Sequence, residues 1–280
     1  MKIISRVIMC VLVVVLFFSM GAPAAQANPG LDIVVVYASD NVYMNDVKSK
    51  LEGIGLFNTV DTYDTQISIP SLAELQNYDA VLVYSNWVYD GTAMGDVLAD
   101  YMDGGGGVVL ACGSYESIVG WGIFGRIKTD GYLPFTTDST VTGVNLFLVP
   151  DLPGHEILNG LTFFDGGASS MHNASIAIVA GAILVAHWAN GQPLVATYQP
   201  TVGRIVGLNF FPPSSDVYVG GWYSATDGAL LMANALVYAA GDQEPPPPPV
   251  PGMTEWGMMA SAIILAVLIP LALRRRELVR

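Results

Sequence analysis

The sequence predicts an α/β domain: a mostly parallel sheet with helices on both faces, completed by antiparallel strands in the C-terminal half. Three observations predict it. Apolar strand-like runs alternate with helical stretches through the first half of the chain, the pattern of parallel strands joined by crossover helices. Two of those runs, "LDIVVVY" and "YDAVLVYSN", are apolar at consecutive positions, as strands covered on both faces must be. From Asn173 to Phe211 the pattern changes to closely spaced short strands separated by turn residues, Asn190-Gly191 among them, which signals hairpins.

The elements follow in order. Leu31 to Tyr37 is a buried-strand run, and Asn45 to Ile54 is a helical stretch with Asp46 near its start and Gly53 and Gly55 near its end. "TVDTY" is a second strand. Ser71 and Glu74 form a capping box that opens a short helix. After the central strand "YDAVLVYSN", Thr92 to Met102 is helical. The run Gly104 to Gly107 breaks that helix and leads into the strand Val108 to Ala111. Four strands are expected next, "SIAIV", "AILVAHW", "PLVATY" and "GRIVGLNF", and a helix from Thr226 to Ala240 closes the domain. An open sheet with this alternation is flavodoxin-like.

Both ends of the 280-residue chain read as addresses rather than as parts of that fold. Residues 1–27 have the form of a secretory signal peptide. Lys2 and Arg6 lead, Val7 to Met20 is apolar, and Ala25-Gln26-Ala27 is an A-x-A cleavage site for signal peptidase. The alternative, a membrane anchor, needs about 20 apolar residues, and this run is shorter. The domain then occupies residues 28–241. A proline-rich spacer, residues 242–252, should be extended and semi-rigid. Residues 253–280 bring a polar-aromatic entry, an apolar stretch over about Trp256 to Leu273, and Arg274, Arg275 and Arg276. Eighteen residues make a minimal span, and the arginines should keep the cytoplasmic side.

This tail resembles the bacterial IPTL-CTERM sorting signal, a relative of the PEP-CTERM signal. Val250, Pro251, Met253, Thr254, Glu255, Trp256 and Gly257 match its motif, and Gly252 stands where threonine is usual. The resemblance implies recognition by an exosortase-type enzyme, removal of the tail and transfer to the cell surface. The protein would thus be exported, held in the membrane by the C-terminal helix, and then released to the surface or the extracellular matrix. A plain C-terminal anchor is the alternative reading.

Charge narrows the partners. Between Asn28 and Glu244 there are 22 Asp and Glu against 5 Lys and Arg, a net of −17, more negative than the −13 of the whole chain because the two tails are basic. Phosphate binding needs clustered Lys and Arg, so nucleic acid is not an expected partner. The acidic residues are scattered, no calcium loop is present, and most of them read as a solvated secreted surface. Cys10 would leave with the signal peptide, so the mature chain would hold one thiol, Cys112, and no internal disulfide. No zinc-hydrolase pattern, G-x-S-x-G, P-loop or strand-linked G-x-G-x-x-G occurs, and neither a cofactor nor a metal is expected. A dispersed metal site from His172, His187 and an Asp is the one metal arrangement the residue types leave open.

In an open parallel sheet, ligands bind beyond the carboxyl ends of the strands. That rule nominates Ser39, Ser85, Asn86, Cys112, Ser114 and Glu116, each of which could equally cap a helix or close a turn. Trp87, Tyr89, Trp121, Trp188, Trp222 and Tyr223 could stack on a sugar where they are exposed, or pack the core where they are not.

The domain as a whole resembles the class I glutamine amidotransferase-like fold, and within it the secreted relatives of the trehalose-utilisation group. The residues that carry the resemblance are "LADYMDGGGGVVLA", "PGHEILNGL", "HWANGQPLVATY", "GRIVGLNFFPP" and "GALLMANALVYAA". Active members use a Cys-His-Glu triad. Laid on the segment that carries His and Glu there, "GLNFFPP" puts Phe211 in place of histidine and Pro213 in place of glutamate. Neither can accept a proton, and a thiol without a base or cation beside it is a poor nucleophile. The reading is therefore a non-catalytic, surface-sorted domain that binds a ligand or a matrix polysaccharide. The alternative is a cysteine-dependent hydrolase in which His172 or His187 serves Cys112; His155 is expected at a helix start.

Overall fold

The computed structural model describes residues 30–241. The chain divides into a unit Met1–Asp242 and a unit Gln243–Arg280, and every described residue belongs to the first. The segments expected to be a signal peptide, a spacer and a sorting signal, with the arginine cluster, lie outside the described residues. Among the described residues no helix is long and apolar enough to cross a membrane.

The elements, in chain order, are β1 (Leu31–Ala38), α1 (Asn41–Ile54), β2 (Phe57–Asp64), α2 (Leu72–Leu75), β3 (Ala80–Ser85), α3 (Gly91–Asp103), β4 (Gly107–Ala111) and α4 (Arg126–Thr129). The second half adds β5 (Thr140–Val141), β6 (Leu148–Pro150), a 3-10 turn (Glu156–Leu158), β7 (His172–Asn173), β8 (Ile183–Trp188), β9 (Pro193–Tyr198), β10 (Ile205–Leu208) and α5 (Gly228–Ala240). Eight strands form one sheet in the order β2-β1-β3-β4-β10-β9-β8-β6. The first five are parallel to one another, and β9, β8 and β6 continue the sheet antiparallel. The predicted fold class is therefore the observed one. Its parallel half has the doubly wound 2-1-3-4-5 order, with β10 as fifth strand, so the direction of winding reverses between β1 and β3.

The two faces of β1 show how the pattern becomes layers. Ile33, Val35 and Tyr37 pack with Val47 and Leu51 of α1 and with Leu231, Met232, Ala235 and Leu236 of α5. Val34, Val36 and Ala38 pack on the other face with Leu75 of α2, Met94, Leu98 and Met102 of α3, and Ile127 of α4. A strand covered on both sides must be apolar at every position, which is why "IVVVYA" carries no alternation. The capping box forms as read: Glu74 N–H donates to Ser71 Oγ at 3.3 Å, and Ser71 N–H donates to Glu74 Oε2 at 2.7 Å. The glycine run ends α3 and starts β4, with Gly105 at φ +97°. A Cβ on Gly107 would stand 2.4 Å from the backbone of Ala239, so this glycine lets α5 lie directly on the sheet.

Three boundaries differ from the sequence reading. Helix α1 begins at Asn41 rather than Asn45, and Asp46 lies inside it, facing the protein. Helix α5 begins at Gly228 rather than Thr226. "SIAIV" is not a strand of the sheet: its one pairing is an isolated bridge between Ile178 and Phe135, and Ile176 packs down onto the sheet from above. Its alternation reflects burial of one side against the sheet face rather than edge pairing. The Asn190-Gly191 hairpin is present, with Gly191 at φ +86° and Trp188 N–H donating to Gln192 O at 2.7 Å.

Candidate functional site

The carboxyl ends of β1, β3, β4 and β10 are joined into one rim by hydrogen bonds between the loops that follow them. Asn86 and Trp87 N–H both donate to Ala38 O, at 2.7 and 2.9 Å, which ties the loop after β3 to β1. Ser85 Oγ donates to Trp121 O at 2.6 Å, and Tyr89 N–H donates to Gly120 O at 2.9 Å, which ties the same loop to the one after β4. Ser114 Oγ donates to Val83 O at 3.1 Å. Glu116 accepts from Ser117 N–H and Thr140 N–H, each at 2.9 Å. Of the nominated residues, Ser39, Ser85, Cys112, Ser114 and Glu116 are buried, and Asn86 is half-buried. The structure brings them all to the same end of the sheet, where most of their polar atoms hold loops in place.

Cys112 is the free cysteine of the described domain and is wholly buried. Its N–H donates to Phe210 O at 3.1 Å, so it extends the β4–β10 pairing by one residue. The left-handed turn falls on the next residue, Gly113, at φ +92°. A Cβ there would come within 1.9 Å of Ser85 O, so only glycine allows the turn to pass this close to β3. Burial pushes the Cys112 thiol up to about 12; Thr140 and the Gly113 backbone pull against it, and the Glu116 carboxylate adds a smaller push upward. Among the described residues, no histidine or cation is one of the groups that shift it. This is the reverse of the electropositive, partly exposed setting that makes a thiolate.

Phe211 belongs to the same buried cluster as Cys112. Its ring meets Tyr84 at 5.8 Å, Tyr43 at 6.0 Å and Tyr218 at 5.7 Å between centroids, each edge-on, and Tyr37 stacks on Tyr84 at 6.4 Å. Five aromatic rings thus fill the region between the ends of β1, β3 and β10. Burial holds the Tyr84 hydroxyl well above its ordinary range, with Tyr37 and Asp46 adding to the effect. Next to this plug, Asn173 N–H donates to Asn209 Oδ1 at 2.7 Å, and Asn209 Nδ2 donates to Asn173 O at 3.1 Å and Pro193 O at 2.9 Å. Asn173 Nδ2 also reaches Thr140 Oγ1 at 3.3 Å and Asp138 O at 2.8 Å. Sequence reasoning missed Asn173, Thr140 and the tyrosines. Asn209 had a signal, since it lies inside "GLNFFPP", and the others meet only through the fold.

The histidines are engaged elsewhere. His172 is buried with Nδ1 2.6 Å from Ser170 O, and its ring lies 6.0 Å from that of Trp188. His187 pairs with Asp151 through Nδ1 at 2.7 Å. His155 caps the 3-10 turn, accepting from Ile157 N–H at 3.2 Å, and burial lowers its pKa. Among the described residues, no group of three His, Cys, Asp or Glu side chains is placed to hold a metal ion.

The aromatic residues divide. Tyr89, Trp188 and Trp222 are core, the two indoles donating to Asn209 O at 3.0 Å and Pro212 O at 2.7 Å, so these three offer no stacking surface. Trp87 is 45% exposed and Trp121 38% exposed. They stand on the two tied loops, in company with exposed Val88, Ile118 and Val119. Tyr223 is exposed apart from them, on the segment where its N–H donates to Asp165 O at 3.0 Å.

No family model and no curated protein matches the chain. Solved structures do. A putative ThuA-like protein from Parabacteroides merdae and one from Bacteroides uniformis each superpose with a TM-score of 0.53 at 15% identity over 80% of this chain, covering 94% and 97% of theirs. A cold-adapted β-galactosidase from Rahnella sp. R3 superposes with a TM-score of 0.52 at 13% identity, over 77% of this chain and 32% of that one. At these identities the likeness is one of fold, and the fold of residues 30–241 is ThuA-like.

Proposed function

We propose that the domain is a non-catalytic binding module of the cell surface that takes a polysaccharide at the carboxyl end of its sheet. The observation that carries this reading is the contrast within one rim. Cys112 is wholly buried in the same core cluster as Tyr37, Tyr84 and Phe211, with a thiol near 12, while Trp87 and Trp121 stand open on adjoining loops of the same rim. Indole rings present an apolar face with a polar edge, which suits the faces of pyranose rings. The resemblance of the tail to a sorting signal supports export by signal peptidase and an exosortase-type enzyme, with the membrane helix as a transient anchor.

Affinity electrophoresis of the protein in gels containing envelope polysaccharides tests the reading. Trp87→Ala and Trp121→Ala should each weaken retardation about five- to tenfold, the size of one lost ring stack. Protein recovered from the cell surface should begin at Asn28. A protein that no envelope polymer retards, or two variants retarded like the parent, would remove carbohydrate from the proposal.

A further inference from the structure

A cleft of about 380 Å³ opens on the sheet face that carries α3, well away from α5, between α4, the segment 131–137 and the segment 178–180 over the end of β9. Leu133, Val179 and Tyr198 give it an apolar wall, and Lys128 and Thr137 stand on its polar side.

Lys128 is the unusual part. Three of the four other cations of this acidic domain hold carboxylates: Lys48 pairs with Glu52, Lys50 with Asp216, and Arg126 with Asp100, Asp103 and Asp130; Arg204 donates to Tyr238 O. Among the described residues Lys128 has no carboxylate within 4.0 Å. Its ammonium is held instead over the Phe124 ring, 4.3 Å from the centroid, and donates to Thr137 Oγ1 at 3.2 Å. An ammonium has three N–H donors, so two remain for something in the cleft. In a domain with 20 acidic residues against 5 basic ones, the surface repels anions nearly everywhere else. A pre-positioned ammonium beside an apolar wall therefore selects both the charge and the body of a ligand.

We infer that this cleft binds a small organic monocarboxylate with an apolar body, its carboxylate on Lys128 and its body against Leu133, Val179 and Tyr198. A sugar acid would have to set most of its hydroxyls against Leu133, Val179 and the Tyr198 ring, with only the Thr136, Thr137 and Tyr198 hydroxyls to meet them. The site is separate from the tryptophan rim, and neither proposal depends on the other.

Saturation-transfer NMR with benzoate, hexanoate, benzamide and glucuronate as probes tests it on the whole protein. Benzoate and hexanoate should bind, benzamide about fivefold more weakly than benzoate, and glucuronate more weakly than either acid. Lys128→Gln should cost benzoate about fivefold, the size of one half-exposed ion pair, and the loss should shrink as salt is raised. The inference is overturned if neither acid binds, if benzamide equals benzoate, if glucuronate binds best, or if Lys128→Gln leaves benzoate binding unchanged. The neutral probe keeps the test independent of how any variant folds.

Discussion

Cys112 shows how little a nucleophile's position means without its surroundings. The strand and turn around it have the form of a nucleophile's seat, yet the positive φ belongs to Gly113 and the sulfur faces the buried side. Desolvation disfavours the thiolate most, and Glu116 adds a like charge to it. With a pKa near 12, about one thiol in ten thousand is ionised at pH 8, where a free thiol is ionised by about a quarter. Iodoacetamide should therefore leave Cys112 unmodified in the native protein and label it fully in denaturant, as intact mass will show. Rapid native labelling with an apparent pKa below 8 would instead mean an activated thiol and would revive the hydrolase reading. One half of this was legible beforehand, because "NFFPP" shows two side chains that cannot take a proton. The other half was not: that Phe211 would be gripped by Tyr43, Tyr84 and Tyr218 follows from α1, β3 and the loop after β10 meeting.

At the scale of elements, what the chain announced depended on how far away each element finds its partner. The capping box of α2, the glycine break before β4 and the Asn190-Gly191 hairpin are local devices, and each forms where its residues stand. Asp46 is the opposite case. Placed near the expected helix start, it has the residue type of a cap, but α1 already begins at Asn41 after Asp40. Its carboxylate accepts instead from Ser214 N–H at 2.7 Å and Ser214 Oγ at 3.1 Å, 168 residues along the chain. Nothing in the neighbourhood of Asp46 signals that partner. The bond pins the loop after β10 to α1, on the same side as Phe211 and Tyr218. Asp46→Ala strands two buried donors and should cost about 2–3 kcal/mol in urea unfolding, whereas Asp46→Asn, which keeps an acceptor, should cost about half as much. Equal costs for the two variants would show that the acceptor is not what matters. "SIAIV" failed for a related reason. A segment that packs one side onto a sheet face has the same alternation as an edge strand, and only a pairing partner tells them apart.

The whole molecule sets an acidic surface around a core rich in tyrosine, and its pH limits follow from that arrangement. Tyr84, Tyr89, Tyr101 and Tyr115 are buried, and burial is the leading reason why each titrates above its ordinary range. Tyr78 is pushed up to about 12 and the Cys112 thiol to about 12. These groups are neutral when protonated, so a raised folded pKa means that the unfolded chain gives up its protons first. Their contribution is complete below the unfolded values, about 8.5 for the thiol and 10 for tyrosine, and is lost as pH climbs from there toward the folded values. Each of the four buried tyrosines removes about 1.4 kcal/mol per pH unit above 10, together more than 5 kcal/mol per unit, against a total stability of order 5–15 kcal/mol. The shifts on the acid side are smaller and sit on exposed groups: Tyr132 and Arg126 lower Asp103, and Lys50 and Ser224 lower Asp216. Those contributions are present at neutral pH and lost as pH falls through the carboxylate range, where protonation also relieves the −15 net charge of residues 28–241. The protein should therefore lose far more thermal stability between pH 8 and 11 than between pH 8 and 5. Absorbance at 295 nm should show the buried tyrosines ionising late and together, in step with the loss of near-ultraviolet circular dichroism. Tyrosines that titrate smoothly near pH 10 with the fold intact would mean that the core is open to solvent, and the sealing of Cys112 would fall with it.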